Sequence, residues 1–147
     1  MYKCKYFKIT ELVNPVVLKK YGESKCWLLF DPELLQCADN IRERYGKCTV
    51  NTPALSDCGL RAWDSSTGAS LSAHKFGRAL DLHISAIENQ AISVKDATVR
   101  KKWKIEAYNK TRDELLKSPL FNRLNFENNI NWLHIDTFNR PKRLFDA

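Results

Sequence analysis

The segment from Arg78 to Ile84 limits the possible folds more than any other stretch of the chain. Its residues alternate, with Leu80, Leu82 and Ile84 on one side and Ala79, Asp81 and His83 on the other. Side chains along a strand point to opposite faces in turn, so this pattern fits a strand buried on its Leu/Ile face, with Asp81 and His83 presented to a cleft. A second such strand is expected at 131–137, where Leu133 and Ile135 share one face and Trp132, His134 and Asp136 the other. With 123–127 before it and an Asn-rich turn at Asn128-Asn129, it reads as a hairpin.

Helical signals come from caps and breakers. Asp31 can cap a helix with Pro32 at its first position; Leu34, Leu35, Ala38, Ile41 and Tyr45 follow at helical spacing until Gly46. Before it, a short element over 7–13 is expected to be capped by Thr10, and Pro15 starts a further helix that Gly22 ends. Cys48-Thr49-Val50-Asn51 reads as a short strand, closed by Pro53. Residues 52–75 are rich in Ser, Thr, Gly and Asp and form a long loop, a length that in compact domains points to function. Ser93 and Asp96 resemble a capping box, predicting a helix from Val94 to about Lys117, where Ser118-Pro119 stops it.

A chain of 147 residues with 44% hydrophobic content supports one domain. The expected class is α+β: a small antiparallel sheet with helices packed on its apolar face. The five cysteines (Cys4, Cys26, Cys37, Cys48, Cys58) are odd in number and lack a Cys-x-x-Cys pair, which favours ordinary reduced thiols over a disulfide framework or a thiolate metal site. The N-terminus lacks the apolar stretch and cleavage site of a secretory signal, and no apolar run approaches the ~18 residues of a membrane span, so a monomer that does not insert into membranes is expected. The net charge of +7 favours an anionic partner. Apart from Arg100-Lys101-Lys102 with Lys104, the basic residues are scattered, which fits a solvated helix face better than a nucleic-acid groove, and no nucleic-acid partner is expected.

The chemistry gathers at His74, Asp81 and His134. Two imidazoles and one carboxylate are the protein ligand count of a catalytic zinc, with a fourth position left open. The same residues would also suit a surface pair or a hydrogen-bonded histidine.

The run Ser72-x-His74-x-x-Gly77-x-Ala79-x-Asp81-Leu82, followed by Trp132-Leu133-His134-Ile135-Asp136 and preceded by Gly59-Leu60-Arg61, resembles the signature of the M15 zinc peptidases. These are the D-alanyl-D-alanine peptidases and the L-alanyl-D-glutamate endolysins of phages, whose fold is shared with the signalling domain of hedgehog proteins. The resemblance implies a hedgehog/DD-peptidase-like fold over 1–147, with zinc held by His74, Asp81 and His134. It implies that Arg61 binds the substrate carbonyl or stabilises the oxyanion and that Ser72 touches the substrate's carboxylate or backbone. It also implies a substrate among peptidoglycan stem peptides, and a phage lysin that is made in the host cytoplasm or carried in a virion and acts at the cell wall.

Many of these enzymes have an acid three residues before the last histidine ligand; here Asn131 stands there. Asp136, about 7 Å beyond His134 by strand rise and on the same face, is the first substitute for the general base, and Glu127 across the turn is the second. Trp132 can wall the substrate pocket, and His83 can reach substrate from the face of Asp81. Were neither acid to serve, the chain would be a zinc-binding structural or binding protein without turnover.

Overall fold

Strands β2 (Ala79–Ile84) and β4 (Leu133–Asp136) lie antiparallel at the centre of a five-stranded sheet in a computed structural model that describes residues 1–146. Their register sets Asp81 opposite His134, Leu80 opposite Ile135, Leu82 opposite Leu133 and Ala79 opposite Asp136. Directly opposed residues share a face, so the two alternating patterns merge into one apolar and one polar surface. β3 (Asn125–Glu127) pairs with β4 as the expected hairpin, with Asn125 opposite Asp136 and Phe126 opposite Ile135. Asn129, at φ 56°, takes the left-handed conformation in the connecting turn, which asparagine tolerates better than most residues. β1 (Cys48–Thr49) joins the far side of β2, and β5 (Leu144–Phe145) lies parallel to β3, giving the order β1-β2-β4-β3-β5. The α+β class and the mostly antiparallel sheet follow the expectation.

Helices cover the apolar face. Among them α1 (Ile9–Leu12), α2 (Pro15–Tyr21) and α3 (Glu23–Cys26) are short, and α4 (Pro32–Tyr45) begins and ends as the sequence dictates. Asp31 accepts a hydrogen bond from Glu33 N at 3.0 Å, Pro32 occupies the first turn, and Gly46 terminates the helix with φ 82°. Leu34, Leu35, Ala38 and Ile41 of α4 share one buried core with Leu80, Leu82, Ile84, Leu133 and Ile135 of the sheet. Each of the leucine and isoleucine side chains stabilises the fold by about 1.5–3 kcal/mol when fully buried.

Three expectations about helices are corrected. Thr10 does not cap α1; it lies inside the helix, Lys8 is the N-cap position, and the Glu11 carboxylate accepts from Lys8 N at 2.8 Å. The helix expected from Val94 begins at Ala97 instead, and a separate helix that was not expected precedes it. α5 (Ser85–Ala91) follows β2 without an intervening loop or a capping side chain, so no start signal marks it. α6 (Ala97–Leu116) is capped by Asp96, which accepts from Val99 N at 2.8 Å, while the Ser93 hydroxyl closes the turn after α5 by donating to Gln90 O at 2.7 Å. Both residues are good caps, and the tertiary path selects the second.

Arg112 of α6 is buried, and it braces the hairpin turn by donating to the carbonyls of Ile130 at 2.7 Å and Trp132 at 2.6 Å. Among the described residues the five cysteines are free, and no helix is long and apolar enough to cross a membrane.

Candidate metal centre

The polar face of the sheet carries Asp81 from β2 and His134 from β4 side by side. His74 enters from a 3-10 turn over Ala73–Phe76 that precedes β2. The chain passes from that turn into β2 through Gly77, whose φ of 64° is left-handed and whose missing Cβ would lie 1.9 Å from Leu29 O. Only glycine meets both conditions without strain. His74, Asp81 and His134 are all buried, and one ligand atom from each lies within 4.8 Å of the others. This group could hold a metal ion.

The hydrogen bonds around the two imidazoles bear on whether a cation fits. His74 Nδ1 lies 2.9 Å from Gly59 O, a carbonyl that can only accept, so this nitrogen carries the proton and Nε2 turns a lone pair toward Asp81 Oδ2 at 3.4 Å. His134 Nε2 lies 3.1 Å from Asp136 Oδ2, and its Nδ1 faces Asp81 Oδ1 at 2.8 Å. With the outer nitrogens donating, the inner ones meet Asp81 as acceptor against acceptor. A positive charge between them, a proton or a metal ion, relieves this contact, and a histidine whose far nitrogen is anchored on a carbonyl or carboxylate is the usual form of a metal ligand. Burial pushes the His134 pKa down, but its hydrogen bonds to Asp136 and Asp81 outweigh this and raise it to about 9. Burial pushes Asp81 up, yet the neighbouring His74 and His134 hold it well below the usual carboxylate range.

Behind this centre the Asn51 side chain accepts from Cys58 N at 2.9 Å and Gly59 N at 3.1 Å, fixing the carbonyl that anchors His74. Arg61 is buried close by, donating from Nε to Asp57 O at 2.6 Å, from Nη1 to Thr67 O at 3.2 Å and from Nη2 to Asp81 Oδ2 at 3.4 Å. Gly68 closes over it: a Cβ there would meet Arg61 Nη1 at 2.7 Å. The composition of the loop carried no sign of this packing.

The ligands open into a cavity of about 500 Å³, whose walls also include Arg61, Ser72, Glu127, Trp132, Phe138 and Arg140. Ser72 and Trp132, two residues expected to touch substrate, both line this cavity. The Trp132 indole N–H is buried and has no hydrogen-bond partner among the described residues.

The two candidate bases separate sharply. Asp136 is fully buried, with Oδ1 accepting from Asn125 Nδ2 at 2.7 Å and Phe138 N at 3.0 Å, and Oδ2 from Arg140 Nε at 2.7 Å, beside the contact to His134. Burial raises its pKa, but hydrogen bonds from His134 and Asn125 bring it below the ordinary value. Both oxygens are committed, so Asp136 supports the His134 ring and is not placed to exchange protons in the cavity. This reverses the order expected from the strand rise, because sharing a face with His134 brings Asp136 to the ring's far nitrogen. Glu127, in contrast, lines the cavity and makes no hydrogen bond or ion pair among the described residues. Asn131 is half-buried and does not line the cavity.

His83 lies outside the cavity, 3.9 Å from Cys58 Sγ and 3.7 Å from Glu88, so it is not placed to touch a substrate there. The sequence expectation also missed Arg140, which stands over the Phe145 ring at 3.8 Å, and β5, which brings Phe145 against His134. The short apolar pair Leu144-Phe145 has no alternation from which a strand can be read.

Comparisons of the chain with models of known protein families, with curated proteins and with solved structures return no match.

Proposed function

We propose that this chain is a zinc-dependent peptidase of the kind its motif resembles, a phage lysin cutting a peptide bond that involves a D-amino acid in peptidoglycan stem peptides. The observation that carries the proposal is the convergence of His74, Asp81 and His134 with a cavity-facing carboxylate, Glu127, and a pinned guanidinium, Arg61. His74 Nε2, an Asp81 oxygen and His134 Nδ1 would hold the ion, and two nitrogens with one oxygen suit zinc. The chemistry a zinc ion supplies at such a site is activation of water and polarisation of the scissile carbonyl.

The remaining work falls to the chain's own groups. Glu127 takes a proton from the attacking water and returns it to the leaving amine. Arg61, held by two backbone carbonyls, offers its remaining N–H groups where negative charge develops on the carbonyl oxygen, at no cost of reorganisation. Ser72 and the unpartnered Trp132 N–H position the peptide backbone or its carboxylate. The net charge of +7 aids approach to an anionic wall, an effect that salt weakens.

Asn131, standing where many such peptidases carry an acid, favours a second reading: a zinc-binding structural or binding protein on the same fold. Purified sacculi separate the two. Zinc-loaded protein should release new amino groups, and a chelator should stop the release; no release by the loaded protein rejects the peptidase.

A further inference from the structure

A row of aromatic rings leads out of the metal cavity. Phe138 is on the cavity wall, its ring centroid is 5.6 Å from that of Phe76, and Phe76 packs edge-to-face on Trp63 at 5.2 Å. Trp63 nevertheless keeps 62% of its surface in water and Phe76 40%. Both rings, with Tyr21, Leu29 and Lys75, line a groove of about 360 Å³, and Arg61 belongs to the walls of this groove and of the metal cavity alike.

Scattered exposed apolar residues are ordinary, but a connected row beside a cavity marks a binding surface. Contacts between neighbouring rings, edge to face for Trp63 on Phe76 and tilted for Phe76 on Phe138, restrain them, so less side-chain freedom is lost when something settles on them. Tyr21 and Lys75 bring polar groups to this groove. A pyranose ring has the matching surface, an apolar C–H face surrounded by hydroxyl and amide groups.

We propose that Trp63, Phe76 and Phe138 form a glycan subsite, on which β-1,4-linked N-acetylhexosamines of the wall polymer stack while the attached peptide enters the metal cavity. This rests on the peptidoglycan reading of the site. The shared wall at Arg61 makes one polymer the occupant of both depressions.

The test is calorimetric titration of the zinc-loaded full-length chain with wall glycan strands stripped of their peptides, and with chitohexaose. Both should bind in the submillimolar range. Trp63→Ala should weaken binding at least tenfold with an unchanged melting temperature, and Trp63→Tyr, which keeps an aromatic face, should retain it. Absence of binding by the wild-type chain, or equal affinity of Trp63→Ala, overturns the subsite. So does binding of wall strands without chitohexaose, which would assign the contact to the acidic lactyl group, and so does Trp63-dependent self-association in sedimentation without glycan binding. The strands hold no peptide bond to cut, so this outcome is independent of whether sacculi are cleaved.

Discussion

Asp136 Oδ2 lies 3.1 Å from Nε2 of His134, on the side of the ring opposite Asp81. The carboxylate thereby fixes which nitrogen carries the proton and which one faces the ligand group. Asp136→Asn keeps the shape but weakens the acceptor, and zinc affinity should fall about 10–100-fold, the usual cost of losing such a partner. Competition against a chelating indicator measures it, and an unchanged affinity would remove Asp136 from the support of the ring.

Among the described residues Glu127 offers an unpaired carboxylate on the cavity wall, on the strand next to that of His134, while the other such carboxylate, Asp146, is exposed near the C-terminus. Glu127→Gln should lower amino-group release from sacculi by at least about 100-fold while zinc affinity holds, because general-base catalysis contributes on that order. Assays at saturating zinc exclude a loss that only reflects metal. If Glu127→Gln stays active and Asp136→Asn does not, the base is Asp136 after all.

Zinc that binds the folded chain alone should stabilise it by about 2.7 kcal/mol at a free concentration 100 times Kd. Scanning calorimetry should show a rise in Tm of several degrees that a chelator reverses. His74→Ala removes one of the three ligands and should abolish the rise. A rise of equal size in that variant would mean the ion binds elsewhere.

Gly77→Ala should destabilise the fold by more than about 2 kcal/mol, since a left-handed residue with a side chain is strained and the new Cβ would collide with backbone at Leu29. Urea denaturation gives the figure. A near-neutral result would show that the turn between His74 and Asp81 can relax.

Glu88 lies away from the metal ligands, accepting from Tyr108 Oη at 2.7 Å and pairing with Lys104 at 2.7 Å, with His83 at 3.7 Å. Burial pushes its pKa up, but these partners outweigh burial and bring it down to about 2. The folded chain therefore holds fewer protons than the unfolded chain between an ordinary glutamate pKa and about 2. This contribution to stability is complete at neutral pH and lost as pH falls through that window. Glu88→Gln should flatten this part of the acid unfolding profile, and an unchanged profile would show that the cluster contributes nothing.

The alternation in 79–84 and 131–137 made the two central strands and their polar face legible, because a period of two has only one way to bury its apolar side. Asp31, Pro32 and Gly46 did the same for α4, since capping is local chemistry. The candidate ligand set was legible for a related reason: His74 and Asp81 are separated by one tight turn, and His134 sits on a strand whose facing is set by its neighbours. The uncapped α5, the two-residue β5 and the bracing by Arg112 left no local signal, because each owes its existence to contacts with distant parts of the chain. The division of labour between the acids was likewise decided by tertiary structure. Sequence distance placed Asp136 and Glu127 both near His134, but only the strand register puts one carboxylate behind the imidazole, with every oxygen bonded, and leaves the other facing the cavity.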